Sequence, residues 1–574
     1  MRSSFFEFHV ASSGLFTARA GLQVVSHNIS NASTEGFSRQ FVEQRASRPL
    51  ATWNSRGMIG TGSEVFGIGQ IRSFYLDQKF WTERGVLGQH SAKASLLTSV
   101  ETVFNEASAT GISAGFDNFF ARMQALHTQA NDPTFRNNVL MNAESLIRHI
   151  NSTAQTLRRQ QINANTEVAM ITSTINNLGT QIASLNERIS RFEIDGSRAN
   201  DLRDQRARLI DELSQFVNVE VSEREFNDDF AAGMFPRPED RGRSDQRLSI
   251  RINGYDFVNH QDVNLLDLVP RSSASGQDNR RNEVDAPGLY DLRFQNGVWF
   301  NIYSPTLQGQ LRGTIDVRDG NNQAPPWPGA NAPAGNVNSP FRGGNDFRGV
   351  PFYLEQLNHL VRTFAAAMNE GAPASGGHPG TIGHVNGFGH NATTQSNMWF
   401  FTYVDNNGVE QHFDPTVGEG RDADGNLIPH NWSNLNAFNI QLNSMFRGEN
   451  GPNLLATSDV PVYGTGGGES NNNVTLGFMN LATNPSLFAE GSIGDFINAT
   501  ATQLGIDLDQ SKKFAANYTD VTESINNQRR SVSGVSLNEE ILAMIQFQQQ
   551  FTAASRLMSA INDVYDTLIN RMGL

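Results

Sequence analysis

Three histidines recur at intervals of six residues in a glycine-rich stretch, at His378, His384 and His390. Imidazole nitrogens are common ligands of transition metals, so this spacing is the first candidate for chemistry. In a stretch so rich in glycine, histidines of a solvated loop are the simpler interpretation. We therefore predict no metal site here.

Side-chain oxygens at Asp422, Asp424 and Asn426 resemble the start of a calcium-binding loop. The glycine of this stretch falls at Gly425, and no glutamate stands at the twelfth position. Both departures from the loop pattern favour an ordinary turn over an ion site.

Glycines at Gly60, Gly62, Gly67 and Gly69 resemble a nucleotide-binding pattern. Such a pattern needs a strand before it and a capped helix after it in a fixed register, and neither is predicted here. No serine is framed by a nucleophile-elbow pattern either. The sequence thus predicts no catalytic residue, no cofactor and no bound metal.

The composition disfavours several classes of partner. A net charge of -14 and a pI near 5.4 argue against a nucleic acid or an anionic membrane surface. The chain has no cysteine, so disulfides cannot stabilise it. No run of 18 apolar residues occurs, and Glu7 and His9 interrupt any signal-peptide core. A chain of 574 residues is expected to contain several domains.

Both ends of the chain carry apolar residues at alternating steps of three and four, the spacing of a coiled-coil seam. The amino-terminal residues that we expect at an assembly interface are Phe8, Leu15, Leu22, Val25 and Ile29. The carboxy-terminal ones are Met544, Phe547, Phe551, Met558, Ile561, Tyr565 and Leu568. Further apolar residues lie off the main seam, at Ile541, Ile545, Leu557 and Val564. We therefore expect the ends to pair with each other, to be mobile in the free monomer, and to order when subunits pack around a common axis.

The longest periodic stretch runs from Leu140 to Phe192 and has one polar seam position, Gln161. It predicts a helix of roughly 80 Å, followed by a turn at Asp195 and Gly196 and a returning antiparallel helix. The central part of the chain alternates polar and apolar residues in three stretches that predict strands and hairpins. These stretches are Arg247 to Val258, Leu289 to Tyr303 and Phe400 to Phe413.

Together these patterns predict an α+β multi-domain chain. Its N- and C-terminal helices pair into an antiparallel coiled-coil-like rod, and mainly-β outer domains are inserted between them. Residues 1–45 with 535–574 are predicted to form a terminal helical assembly core, and residues 46–225 with 485–534 a long helical-bundle domain. Residues 226–370 are predicted to be mainly β with one helix at 351–370, and residues 371–484 a further mainly-β insertion.

The segment from Gly14 to Gln40 resembles the amino-terminal signature of the flagellar rod, hook and hook-associated proteins. The specific part of this signature is a turn that contains Asn28, Asn31, Thr34, Gly36 and Phe37. The segment from Ser531 to Asn570 resembles the carboxy-terminal helix of the same family, and Gln546 to Phe551 is closer to hook-associated proteins than to the hook protein. The resemblance covers roughly the first 220 and the last 80 residues.

This resemblance implies a structural, non-catalytic subunit of the extracellular bacterial flagellum, at the junction between hook and filament. The partners that it implies are further copies of the chain in an axial homo-oligomer, the hook protein and the third hook-associated protein. It also implies a flagellar export chaperone before secretion, and export by the flagellar type III pathway without a cleaved signal peptide.

Two alternatives remain open at the level of sequence. The chain could be the hook protein or the third hook-associated protein, or it could be a secreted flagellar subunit with an adhesive or enzymatic β insertion. Residues 371–480, which resemble no segment of the family, are where such an insertion would lie, although they contain no His-Glu-x-x-His pattern. The cluster of Phe5, Phe6 and Phe8 is an addition to the family pattern without an assigned role.

Overall fold

The computed structural model describes most of the chain, in thirteen segments. These are residues 6–51, 58–104, 111–193, 197–226, 245–271, 282, 284–322, 346–372, 380–405, 407–411, 434–463, 468 and 470–570. The α-helices in this part are α1 Phe6–Asn31, α2 Phe74–Phe104, α3 Ile112–Thr128, α4 Pro133–Glu193, α5 Asn200–Phe216, α6 Gln310–Asp319, α7 Val350–Glu370, α8 Gly451–Leu454, α9 Asn473–Leu481, α10 Ile493–Ser533 and α11 Leu537–Asn570. The strands are β1 Gln40–Ala46, β2 Leu50–Ala51, β3 Met58–Ile59, β4 Ser63–Gln70, β5 Val219–Phe226, β6 Asp245–Ile252, β7 Tyr255–Asn259, β8 Asp262–Val263, β9 Leu266–Pro270, β10 Tyr290–Phe294, β11 Phe401–Val404, β12 Glu410–Gln411 and β13 Ile440–Leu442.

The helices α2, α4, α5 and α10 form a rod, because α10 packs along α2 and both α2 and α5 pack on α4. The α4 helix has 61 residues, which at ~1.5 Å per residue is roughly 90 Å. Its buried positions follow the predicted seam from Leu140 to Ile189. The polar exception, Gln161, is fully buried, donates to Asp285 Oδ1 (2.7 Å) and accepts from the Ala286 N–H (2.8 Å). The seam is polar there because α4 meets an inserted segment at this point.

The strands β5, β6, β7 and β8 form one antiparallel sheet in sequence order. The turn between β6 and β7 contains Asn253 and Gly254, both with positive φ (48° and 79°), as a tight hairpin turn requires. A second Asn-Gly pair, Asn296 and Gly297, lies in the turn after β10. This turn is closed by a single antiparallel bridge between Arg293 of β10 and Trp299. The hairpins predicted from these pairs and from residues 400–413 are present, and the predicted α+β class is confirmed.

Two hydrophobic cores lie along the rod. One core combines the end of α2, α3 and the first half of α4 with α7 and with described residues between Met398 and Leu508. The other combines the second half of α4 and α5 with the four-stranded sheet and α6. Both cores draw on segments that are distant in sequence, so the predicted domain boundaries stay a prediction.

Two details of the predicted middle region are wrong. Residues 226–370 contain a second helix, α6, whose side chains from Thr314 to Asp319 are all buried, so it shows no apolar face that a periodicity could reveal. The described part of residues 371–484 contains only short strands, together with α8 and α9. Asparagine side chains also satisfy backbone groups there, since Asn369 accepts from the N–H groups of Phe400 and Phe401 where β11 begins.

A buried ionic cluster joins α6 to the strands beside it. The Asp319 carboxylate accepts hydrogen bonds at 2.7 Å from Arg271, Arg318 and the Tyr303 hydroxyl. Burial by itself would raise the pKa of Asp319, but the two guanidinium groups outweigh burial and hold that pKa far below its ordinary value. Both arginine side chains are almost fully buried, and Asp319 compensates the charge of both, with Asp291 as a second carboxylate for Arg271 at 3.0 Å.

Replacing Asp319 by Asn should therefore lower the free energy of unfolding by about 3–5 kcal/mol, because it leaves buried cations undercompensated. Urea unfolding of D319N beside wild type measures the loss. The matched control is Asp509→Asn, which removes an exposed carboxylate that pairs with Lys513 one helical turn away. If D319N and D509N unfolded at the same urea concentration, the cluster would contribute nothing to stability.

Candidate assembly interface

The two ends of the chain meet as an antiparallel helix pair, as predicted. Gly14 lies opposite Ala554, Gly21 lies under the ring of Phe547, and Asn28 bonds to Glu540. Each step of seven residues forward on α1 therefore corresponds to seven residues backward on α11, which is the repeat of a coiled coil. A side chain at position 21 would overlap the Phe547 ring, so this register needs glycine there.

Small residues form most of the α1 side of this contact. The residues Ala11, Ala18, Gly21 and Val25 are buried, as is Asn28. Of the five amino-terminal residues predicted at the assembly interface, Val25 is the one that is fully buried. The other four, which are half-buried or 38% exposed in the case of Phe8, are Leu15, Leu22, Ile29 and Phe8. The buried line is shifted toward the small residues because they let the α11 aromatic rings approach the α1 backbone.

The predicted α11 residues face α1 but are incompletely covered. Ile561 is buried, at 9% exposure. The half-buried ones are Met544, Phe547, Phe551, Met558 and Tyr565. The Leu568 side chain lies outside the described residues. The role of all these residues in assembly stays a prediction.

The buried polar contact of the helix pair is the Asn28 cluster, formed by Asn28, Arg39, Gln40 and Glu540. Asn28 Nδ2 donates to Gln40 O (2.8 Å) and to Glu540 Oε2 (3.0 Å), and Asn28 Oδ1 accepts from the Gln40 N–H (3.0 Å). Arg39 Nε donates to the other Glu540 oxygen at 2.7 Å. Asn28 and Glu540 are each 1% exposed, so α1, β1 and α11 are joined at a desolvated point.

The signature turn follows α1 directly. Asn31 Nδ2 donates to His27 O (3.0 Å), the Thr34 N–H donates to Asn31 O (2.9 Å), and the Phe37 N–H donates to Thr34 O (3.3 Å). Gly36 has φ +79°, which glycine adopts without strain. Thr34 and Gly36 are exposed, whereas Asn31 and Phe37 are half-buried. These residues shape the turn that brings Arg39 and Gln40 to the Asn28 cluster.

Sequence analysis did not identify Arg39, Gln40 or Glu540. A glutamate in the first turn of a predicted helix is usually solvated, and its partner Asn28 lies 512 residues away. The apolar pattern carries no signal for such a pair.

Apolar side chains remain uncovered on both sides of α11. Ile541 and Ile545 are 49% and 46% exposed, and Leu557 and Val564 are 50% and 57% exposed. On α1, Phe16 is 64% exposed. Among the described elements, α11 packs extensively along α1 alone. The residues predicted to need further neighbours are thus uncovered within a single chain.

Of the predicted histidine series, His384 has a structural environment. His384 is completely buried, and its Nε2 accepts from the Ala456 N–H (3.1 Å), which places the proton on Nδ1, facing Met398 O (2.9 Å). Both nitrogens are occupied. Burial lowers the pKa of His384 to about 4. His378, Asp422, Asp424, Gly425 and Asn426 lie outside the described residues, as does Phe5.

Within the described ranges, no group of three or more His, Asp or Glu side chains could hold a metal ion. Gly67 and Gly69 lie in β4, paired with β1, rather than in a loop that opens a helix. No described helix is long and apolar enough to span a bilayer.

Comparison with known families decides the identity of the fold. Residues 97–383, half of the chain, match the model of the flagellar hook-associated protein FlgK helical domain. The chain belongs to the FlgK family of flagellar hook-associated proteins. Residues 528–572 also match the C-terminal model of the flagellar basal body rod FlgEFG proteins, a region that contains all of α11.

Relatives of this FlgK-family chain align over almost its full length. Flagellar hook-associated protein 1 of Bacillus subtilis is 26% identical and aligns over 100% of this chain and 99% of its own length. The Escherichia coli protein of that name is 25% identical, with 98% of each chain covered. The flagellar hook junction protein FlgK of Burkholderia pseudomallei has a similar fold, with a TM-score of 0.51 at 13% identity over 79% of this chain and 100% of that one. As a family member, the chain is a structural protein of the bacterial flagellum.

The Asn28 cluster predicts a large difference between two adjacent glutamates. Replacing Glu540 by Ala should weaken the α1–α11 contact by about 1.5–3 kcal/mol, because Asn28 and Arg39 lose a buried ionised acceptor. Glu539 also bonds to Arg39, at 3.0 Å, but is 62% exposed, so its replacement by Ala should cost about 0.2–1 kcal/mol. Amide hydrogen exchange along α11 measures both effects, and equal exchange in E539A and E540A would contradict the assigned role of the cluster.

The neutral His384 side chain predicts a pH dependence. Its folded-state pKa of about 4 lies below that of a solvated histidine, so the unfolded chain takes up the proton first as pH falls. The free energy of unfolding should decrease by about 3 kcal/mol between pH 7 and pH 4 on account of this group. The His384→Asn variant should have a lower free energy of unfolding at pH 7, and this free energy should change less between pH 7 and pH 4. The free energy of unfolding of His9→Asn, at an exposed site on α1, should follow that of wild type. An unchanged slope in H384N would refute the neutral assignment.

Proposed function

We propose that this chain is the non-catalytic subunit that joins hook to filament, and that its copies assemble through α1 and α11. The observation that carries the proposal is the apolar surface that α11 leaves uncovered. A 34-residue helix that packs on one partner helix and keeps six aliphatic side chains about half exposed or more gains further burial from neighbouring molecules. The match of residues 528–572 to axial rod proteins supports the same use of this helix.

Two pairs of these uncovered residues, Ile541 with Ile545 and Leu557 with Val564, lie on opposite sides of the helix pair. Ile541 and Ile545 each follow a residue of the contact seam by one position, Glu540 and Met544. Leu557 and Val564 each precede one, Met558 and Tyr565. One position corresponds to a rotation of ~100°, so the two pairs project in opposite directions from the seam, and they are roughly 26 Å apart along the axis.

A single neighbour cannot cover both sides. In a two-fold dimer, both copies contribute the same side, and the other remains exposed on each. Two neighbours related by a repeated rotation cover both. We therefore propose a head-to-tail arrangement, closed as a ring or continued as a helix, in which the Ile541–Ile545 side of one copy meets the Leu557–Val564 side of the next.

The other partners proposed for the chain follow from its family. They are the hook protein on one side and the third hook-associated protein on the other, with an export chaperone before secretion. The proposed route is the flagellar type III pathway without a cleaved signal peptide. The full-length alignment with hook-associated protein 1 sequences favours this assignment over the hook protein or the third hook-associated protein.

The absence of cysteine makes the arrangement testable by chemical cross-linking. Purified protein carrying both Ile545→Cys and Leu557→Cys, added to isolated hooks and treated with a short bis-maleimide, should give a ladder of trimers and larger species. Each single variant, as the matched control, should stay monomeric, because a head-to-tail contact brings unlike positions together.

Dimers from a single variant would show a two-fold contact and overturn the head-to-tail arrangement. A double variant that binds to hooks but never exceeds the monomer would show that these sides are not the assembly surface.

A further inference from the structure

The α1–α11 pair and the β1–β4 strands form a terminal module, residues 6–70 and 537–570, which is separate from the rod. Two short links connect the two parts, residues 71–73 into α2 and residues 534–536 out of α10. Within the described residues, neither hydrophobic core of the rod includes a side chain of this module. The orientation of the module is therefore not set by apolar packing.

Polar groups at the start of α5 contact the module instead. Asp204 accepts two hydrogen bonds from Ser38, from its N–H (2.8 Å, at Oδ2) and from its hydroxyl (2.8 Å, at Oδ1). Ser38 and Asp204 are 2% and 7% exposed. A carboxylate that accepts from both donors of one buried residue fixes the position and the direction of the chain at that residue.

The neighbouring residues of α5 bond to other strands and helices of the module. Asp201 Oδ1 accepts from Gln40 Nε2 (2.7 Å) and lies 3.2 Å from His27 Nε2. Asn200 Nδ2 donates to Ile68 O of β4 at 2.8 Å. One helical turn of α5 therefore contacts three different elements of the module, α1, β1 and β4.

The same turn is anchored in the rod. Arg72, in the first link, donates to Asp204 Oδ1 (3.2 Å) and to Asp77 of α2 (2.6 Å). Asp77 in turn pairs with Arg529 of α10 at 2.8 Å. The contacts from the module to Asp204 thus continue through ion pairs into α2 and α10, beside the second link.

We propose that Asp204, assisted by Asn200 and Asp201, is the positioning residue that sets the direction in which the terminal module leaves the rod. Loss of this contact frees the module to reorient while both parts stay folded. This inference rests on the proposed function in one respect, namely that a fixed direction of the module would serve assembly. The experiment that tests the role of Asp204 uses the monomer.

Two adjacent amides report on the joint and on the module separately. The Ser38 N–H bonds to Asp204 across the joint, whereas the Gln40 N–H bonds to Asn28 inside the module. In monomeric Asp204→Ala, exchange of the Ser38 amide should accelerate about tenfold or more, with the Gln40 amide unchanged. Asp509→Ala, which removes an exposed carboxylate of the rod, should leave both amides as in wild type.

An unchanged exchange rate of the Ser38 amide in D204A would overturn the inference. Faster exchange of both amides would also overturn it, because the module would then not stay folded on its own.

Because Asp204 also contacts Arg72, Ser38→Ala combined with Asp201→Ala provides a variant that leaves the Asp204–Arg72 pair intact. A larger radius of gyration in this double variant, at unchanged thermal stability, is the expected result, and an unchanged radius would count against the joint. If the double cysteine variant, with Asp204 unchanged, gave no cross-linked ladder, that result would count against the proposed assembly and not against the role of Asp204.

Discussion

The burial of Asn28 against Glu540 is the constraint on which the terminal module depends. It joins residues from opposite ends of the chain and fixes the antiparallel register in which Gly21 lies under Phe547 and Gly14 lies opposite Ala554. A desolvated amide and a desolvated carboxylate tolerate no slippage, because any shift would leave both without partners. Apolar contacts between helices are far less selective of register, so the polar cluster supplies the specificity that the small residues of α1 cannot.

The rod is stabilised in a different way. Long helices and two apolar cores provide its cohesion. Buried polar groups lie where the rod meets inserted segments, as at Gln161 and Asp319, and also between its helices, as in the ion pair of Asp77 and Arg529. The rod has apolar cores of its own, whereas α11 of the module has exposed aliphatic side chains on two sides. From this contrast we propose that the rod stabilises the subunit and that the module provides the surface for neighbours.

The joint between them is polar. Asp204, Asp201 and Asn200 contact the module through hydrogen bonds, which are directional and break over short distances, whereas an apolar interface would tolerate sliding. A polar joint can fix one orientation in the monomer and still open without exposing a core. That property suits a subunit that must fit its terminal helices among those of its neighbours.

The sequence by itself determined the helical ends, the long α4 seam and the Asn-Gly hairpins, because each depends on local periodicity or turn chemistry. It also carried the family signature at residues 28–37 and the off-seam residues Ile541 and Leu557. Only the tertiary structure decided that small residues rather than Leu15 and Leu22 form the buried α1 line, and that Glu540 and Asp204 are the polar contacts of the module. The hydrogen-bond partners of these buried carboxylates are remote in sequence. The helix α6 is buried on all sides of its second half and therefore has no periodic apolar face. Neither leaves a local pattern, because three-dimensional packing alone brings the interacting groups together.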